Sequence, residues 1–116
     1  TGCAIVHSDS ASGIQRLNQE AAKALAAGRR AGFDISEGRA MTWITKNPAK
    51  SLGILDQTGT LEQGKDADVV IWDGNPFSVY TKAERVYIDG ALAFDKASNF
   101  MPHTDFDLGI KEWEDK

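Results

Sequence analysis

Near the front of the chain, His7-Ser8-Asp9-Ser10 puts an imidazole, a carboxylate and two hydroxyls within four residues, between the apolar run Cys3–Val6 and a helix-like segment. A carboxylate just past the carboxyl end of a buried strand stands where α/β barrels and open α/β sheets carry their catalytic side chains. There it can ligate a metal or receive a proton from water. Asp is also an ordinary turn and cap residue, so position alone leaves Asp9 between the two readings. His7 suits a metal ligand or a proton shuttle, and equally a hydrogen-bonded residue at the end of a core strand. Zinc takes three protein ligands and an open position, or four in a closed site; Cys3, His7, Asp9 and His103 show no recognisable ligand spacing among themselves. Ser8 and Ser10 lie outside any G-x-S-x-G string and no P-loop string occurs, which sets aside serine hydrolases and nucleotide binders.

The elements that would hold these groups are legible in outline. Cys3-Ala4-Ile5-Val6 is predicted as a fully buried strand of the parallel-sheet kind, with Cys3 a small buried hydrophobe rather than a reactive thiol. Ile14, Leu17, Ala21, Ala24, Leu25 and Gly28 keep the spacing of one buried helical face, and Arg16, Glu20, Lys23 and Arg30 fall opposite. Ser12 and Gln15 have capping-box spacing, which assigns the N-cap to Ser12. Gly32 is the predicted stop. Ser36 caps a second helix through Met41 and Ile44, ended by Asn47-Pro48 because the residue before proline resists the α conformation, with a short helix around Ala49 to Leu52 after it.

Past Gly53, glycines and aspartates punctuate short runs. Ala67 to Trp72 is predicted as a strand, and Asp89-Gly90 centres a hairpin from Arg85 to Phe94, since a type I′ turn needs positive φ at both central residues. A two-residue loop pairs Ile88 with Ala91, Tyr87 with Leu92 and Val86 with Ala93. Both faces carry apolar groups, so cover is expected on each side. Residues 99–116 read as an ordered tail that frays.

Hydrophobic content of 41% and charged content of 26% are those of a soluble globular protein, and no stretch of eighteen apolar residues could span a bilayer. The net charge of -4 hides a gradient: residues 1–50 hold seven basic and four acidic side chains, residues 51–116 six and thirteen. No basic patch with interleaved aromatics occurs, so nucleic acid is not an expected partner. One cysteine permits a reducing compartment and a cytoplasmic location. The first Met is Met41, so the chain reads as a piece of something longer, with any targeting region upstream.

The string Asn47 to Pro76 does no chemistry, yet it is the most distinctive in the chain. Asn47, Pro48, Ala49, Leu52 and Gly53, then Gly59, Leu61, Gly64, Lys65, Ala67 and Asp68, then Val86 and Gly90 stand in the order and spacing of the C-terminal segment of imidazolonepropionase-like amidohydrolases. The chain from about Ile5 to Phe94 resembles that superfamily of metal-dependent hydrolases.

The resemblance implies an α/β fold: the C-terminal fragment of a (β/α)₈ TIM barrel, residues 1–52 being its final strand and helices, residues 53–98 strands of a flanking β-sandwich, and 99–116 the tail. It implies hydrolysis of C–N bonds in cyclic amides, ureas, amidines or peptide-like small molecules. It places Asp9 on the family's last metal-site carboxylate, ligand and general base together. His7 has no general counterpart and is assigned to the substrate side or just behind the metal. The divalent metal, zinc, belongs to the full-length enzyme. The His-x-His pair, bridging lysine and later histidines of the family lie on earlier strands, so this stretch alone is expected to bind no metal and to be inactive. Exposed strand edges and helix faces then favour a homo-oligomer. The rival from another class is a stand-alone α+β structural or interaction domain, in which Asp9 is a turn residue.

Overall fold

The computed structural model describes residues 2–98. A 3₁₀ turn, Ile14–Arg16, runs into α1 (Leu17–Arg30), followed by α2 (Glu37–Thr42), α3 (Lys46–Ser51), β1 (Val69–Trp72), β2 (Ala83–Ile88) and β3 (Ala91–Asp95). The result is an α/β arrangement whose sheet is a three-stranded antiparallel meander, β1-β2-β3. The tail lies outside the described residues.

α1 forms where alanines, leucines and long straight side chains concentrate, and the i,i+3 pair Glu20–Lys23 (2.6 Å) braces its outer face. Its buried residues are Asn18, Ala21 and Leu25, whereas Ile14 and Ala24 remain exposed. The predicted face is therefore narrower and turned slightly. Asn18 can be buried because its amide donates to the Pro76 carbonyl at 2.7 Å. The helix stops at the expected place: the N–H groups of Gly32 and Phe33 return to the carbonyls of Arg29 and Gly28, the Schellman pattern.

Ser36 caps α2 as its spacing predicts, accepting the Arg39 N–H at 3.1 Å. Asn47-Pro48, however, does not end a helix; it lies in the first turn of α3. The first turn of a helix has free N–H groups anyway, so a proline there removes no bond. Leu25, Ala40 and Trp43 form the core cluster, with Val6, Ile35 and Phe77 packed against it. Phe77 comes from the β1–β2 connection, and that loop ties sheet to helices again where Asn75 donates to the Glu37 carboxylate (3.1 Å).

The turns of the distinctive string turn out to be scaffold. Lys65, only 12% exposed in its side chain, donates to the Leu55 carbonyl and to the Thr60 hydroxyl (2.6 Å) and lies 3.3 Å from Glu62. Gly59 passes so close to α3 that a Cβ would sit 2.5 Å from the Ala49 Cβ. At the hairpin tip Asp89 has φ 50 and Gly90 φ 76, as a type I′ turn requires.

Ile88 pairs with Ala91 and Tyr87 with Leu92, but a bulge then inserts Ala93, so Val86 meets Phe94 instead. The predicted cover on both faces is not found among the described residues: Ile88 is 59% and Leu92 52% exposed, because no described element packs there.

Candidate functional site

The segment leading to His7 is not a strand of any ladder among the described residues, and Cys3 is exposed rather than buried. A strand of the parallel kind is covered by neighbouring strands and helices, and the described residues supply no such neighbour. The segment is held from one side. The Val6 N–H donates to the Trp43 carbonyl (3.0 Å), the Asn47 side-chain amide donates to the Ala4 carbonyl (2.7 Å), and the Val6 side chain packs on the core cluster.

Beyond it the chain makes a serine turn with Asp9 at its centre. Ser8 Oγ accepts the Ser10 N–H (3.0 Å) and donates to the Ser10 carbonyl (3.1 Å), closing a local ring around Asp9. Ser10 Oγ then accepts the Gly13 N–H (3.1 Å), while the Ile14 N–H donates to the Ser10 carbonyl (3.0 Å). Ser10 thus closes the turn ahead of the 3₁₀ segment, and neither the N-cap residue of that segment, Gly13, nor that of α1, Arg16, makes a side-chain cap bond. Ser12, the expected cap, only meets the Ser10 hydroxyl at 3.2 Å. Ser10 and Gly13 have the same three-residue separation as Ser12 and Gln15, and the serine turn around Asp9 lets the earlier pair win. Gly13 lies against this turn, where a Cβ would stand 3.1 Å from Ser8 Oγ and 3.2 Å from Ser10 Cβ.

Asp9 itself projects outward. Its side chain is 96% exposed and His7 Nδ1 lies 3.5 Å from its Oδ1, with the imidazole 74% exposed. At that distance the two are neighbours rather than a formed hydrogen bond. The turn uses the hydroxyls and the backbone and leaves both carboxylate oxygens of Asp9 free among the described residues, a donor set suited to a hard or borderline divalent cation. No third His, Cys, Asp or Glu joins them there: among the described residues no group of three or more such side chains converges. His103 lies outside the described residues. Asp9 and His7 alone supply fewer ligands than a metal site needs.

Two concave surfaces lie elsewhere among the described residues, and neither includes this pair. One, about 860 Å³, lies between α2–α3 and β1 and is lined in part by Met41, Ile44, Pro48, Leu52, Val70 and Trp72. The other, about 500 Å³, is lined in part by Cys3, Phe33, Arg39, Trp43, Lys46 and Lys50. Among the described residues no helix is long and apolar enough to cross a membrane.

Sequence reasoning missed the work done by Ser8, Ser10 and Asn47. The first two carried a signal, a serine two residues (Ser8) or three residues (Ser10) before the N–H it captures. Asn47 carried none, because its partner lies 43 residues away.

Comparison with known proteins agrees with this scaffold. A sequence model described as the amidohydrolase family matches residues 4–104. An imidazolonepropionase of Brucella anthropi is 47% identical over 55 residues, 47% of this chain and 12% of that protein. The amidohydrolase tasK of Hapsidospora irregularis is 39% identical over 56 residues, 48% of this chain and 6% of that protein. The crystal structure of an amidohydrolase from Thermotoga maritima superposes with a TM-score of 0.60 at 42% identity, covering 68% of this chain and 19% of that one. The chain thus spans a small part of the length of the relatives it matches.

Proposed function

The chain belongs to the amidohydrolase family, and on that premise we propose that it is the C-terminal part of a metal-dependent hydrolase of C–N bonds, with Asp9 as metal ligand and general base. The observation that carries the reading is the free carboxylate of Asp9, held at the centre of a serine turn directly after the segment that would be the last strand of a (β/α)₈ barrel. A barrel of about 250 residues needs far more chain than these 116 residues, and the small share of each relative that the chain covers supports the same division. Residues 1–52 would close the barrel and residues 53–98 would contribute strands to a flanking β-sandwich.

A divalent metal, zinc in this reading, supplies a Lewis acid that brings the pKa of water to about 7. Asp9 would contribute one carboxylate oxygen to the metal, and the other ligands would come from outside the described residues. The same carboxylate would take the proton of the attacking water and hand it to the departing nitrogen. His7, beside it, would face the substrate. The Brucella relative's name makes imidazolone rings the first substrates to try, ahead of other cyclic amides, ureas and amidines. On its own the 116-residue chain should hold no metal tightly and turn over nothing. It should also self-associate, because β1 and β3 each leave one edge unpaired within the sheet.

The test uses the complete protein that contains this chain, loaded with Zn²⁺ and assayed on that panel. Asp9→Asn should lower kcat by about a thousandfold, within the usual range for loss of a general base plus a ligand. Near-normal turnover by the variant would overturn the assignment.

A further inference from the structure

We infer that Asn47 is a positioning residue for Asp9: its side-chain amide fixes the segment that presents the carboxylate, from a helix the chain reaches only 43 residues later. The inference rests on the hydrolase reading of Asp9.

The segment before Asp9 has few holds. Ala4 and Val6 are two residues apart, so in an extended chain their polar groups point to the same edge. Both are taken by the α2–α3 corner: the Trp43 carbonyl receives the Val6 N–H (3.0 Å) and Asn47 Nδ2 donates to the Ala4 carbonyl (2.7 Å). A single hydrogen bond would let the segment pivot about Val6. Two bonds, about one strand repeat apart, fix its direction as well as its place. Downstream, the Ser8–Ser10 turn and its bond to Gly13 hold the other side. Asp9 thus stands between two anchors, and only the upstream one comes from a distant part of the chain.

The recorded bond of the Asn47 amide goes to Ala4, and the N-cap residue of α3, Thr45, makes no side-chain cap bond. Asn47 is therefore not serving its own helix; its amide is directed away from α3 to a backbone that would otherwise have no partner there. Catalytic and metal-binding groups lose function steeply when displaced by an ångström, and partners behind metal ligands commonly change affinity by 10–100-fold.

The experiment compares Asn47→Ala and Asn47→Asp with the unaltered complete protein, Asp9→Asn serving as reference. Asp keeps the size of Asn but offers an acceptor to a carbonyl, so both variants lose the bond. Amide hydrogen exchange of Val6 should rise about tenfold or more while the amides of α1 keep their protection, and Zn²⁺ should bind about tenfold more weakly. Unchanged exchange at Val6 would overturn the positioning role and leave the reading of Asp9 intact. So would faster exchange at Val6 with unaltered Zn²⁺ affinity, since the tether would then not position the ligand. Loss of protection throughout α1 in both variants would assign Asn47 to the stability of the fold and overturn the proposal. If Asp9→Asn itself binds Zn²⁺ normally, the hydrolase reading fails, whatever the exchange arm shows.

Discussion

One carboxylate oxygen of Asp68 accepts the backbone N–H of Asp89 at 3.0 Å, so the residue just ahead of β1 holds the tip of the β2–β3 hairpin. The other oxygen accepts the Thr58 hydroxyl at 3.0 Å, and the neighbouring Gly90 N–H donates to the Ala67 carbonyl. One ionised side chain thus joins two turns to the entry of β1.

These bonds, the Asp89 N–H first and the Thr58 hydroxyl second, hold the Asp68 carboxyl below its ordinary pKa. Asp73 is lowered in the same way, mainly by the Lys82 N–H (2.8 Å) and then by the Lys96 ammonium (2.9 Å). A carboxyl whose folded pKa is depressed stabilises the fold fully above its unfolded value, near 4, and loses that contribution as pH falls through the folded value. Resistance to urea should therefore fall on acidification below about pH 4. Asp68→Asn should make the slope in that window shallower and lower stability at pH 7, because an amide cannot accept on both sides. An unchanged acid slope in the variant would show that the latch does not act.

Ser10→Ala should lower stability by about 0.5–1.5 kcal/mol, the usual net worth of one hydrogen bond, whereas Ser12→Ala should stay within about 0.5 kcal/mol. Denaturant midpoints of the two variants measured side by side decide which serine holds the turn, and the reverse order would restore Ser12.

Gly59→Ala should be among the most damaging small substitutions. Its φ of +92 strains any side chain, and the added Cβ would lie 2.5 Å from Ala49 Cβ and 3.2 Å from the Thr45 carbonyl. A cost of about 2–4 kcal/mol follows from strain plus overpacking. Gly38→Ala is its counterpart: it lies within α2, a Cβ there meets nothing within 4 Å, and it should stabilise by about 0.5–1 kcal/mol. Thermal unfolding reads both.

His7→Gln in the complete protein should raise KM several-fold more than it lowers kcat, if the exposed ring beside Asp9 faces substrate. A fall in kcat alone, with KM unchanged, would assign the ring to the chemical step instead.

What the sequence made legible was local. Ser36, Gly32 and Asp89-Gly90 act through backbone within a few residues of themselves, and each does what its spacing predicts. The segment Cys3–Val6 went differently, because burial of such a run depends on covering elements and the described residues hold it from one side alone. Ser12 fails to cap for a subtler reason: Ser10 has the same spacing to the Gly13 N–H as Ser12 has to that of Gln15, and the turn through Ser8 favours the earlier pair. Asp9 drew notice by type and position, but the device that frames it depends on Asn47, and no window of sequence contains both.

The bulge at Ala93 gives β3 a spare residue. Deleting Ala93 would bring Phe94 next to Leu92 in the ladder and leave every other recorded partner of β2 where it is, so the hairpin can lose one residue of length without turning either half inside out. In a strand that alternates faces, that is an uncommon allowance. A deletion at Ala93 should therefore cost less than one elsewhere in β3, with the Asp68 latch and the ladder on β1 remaining as they are.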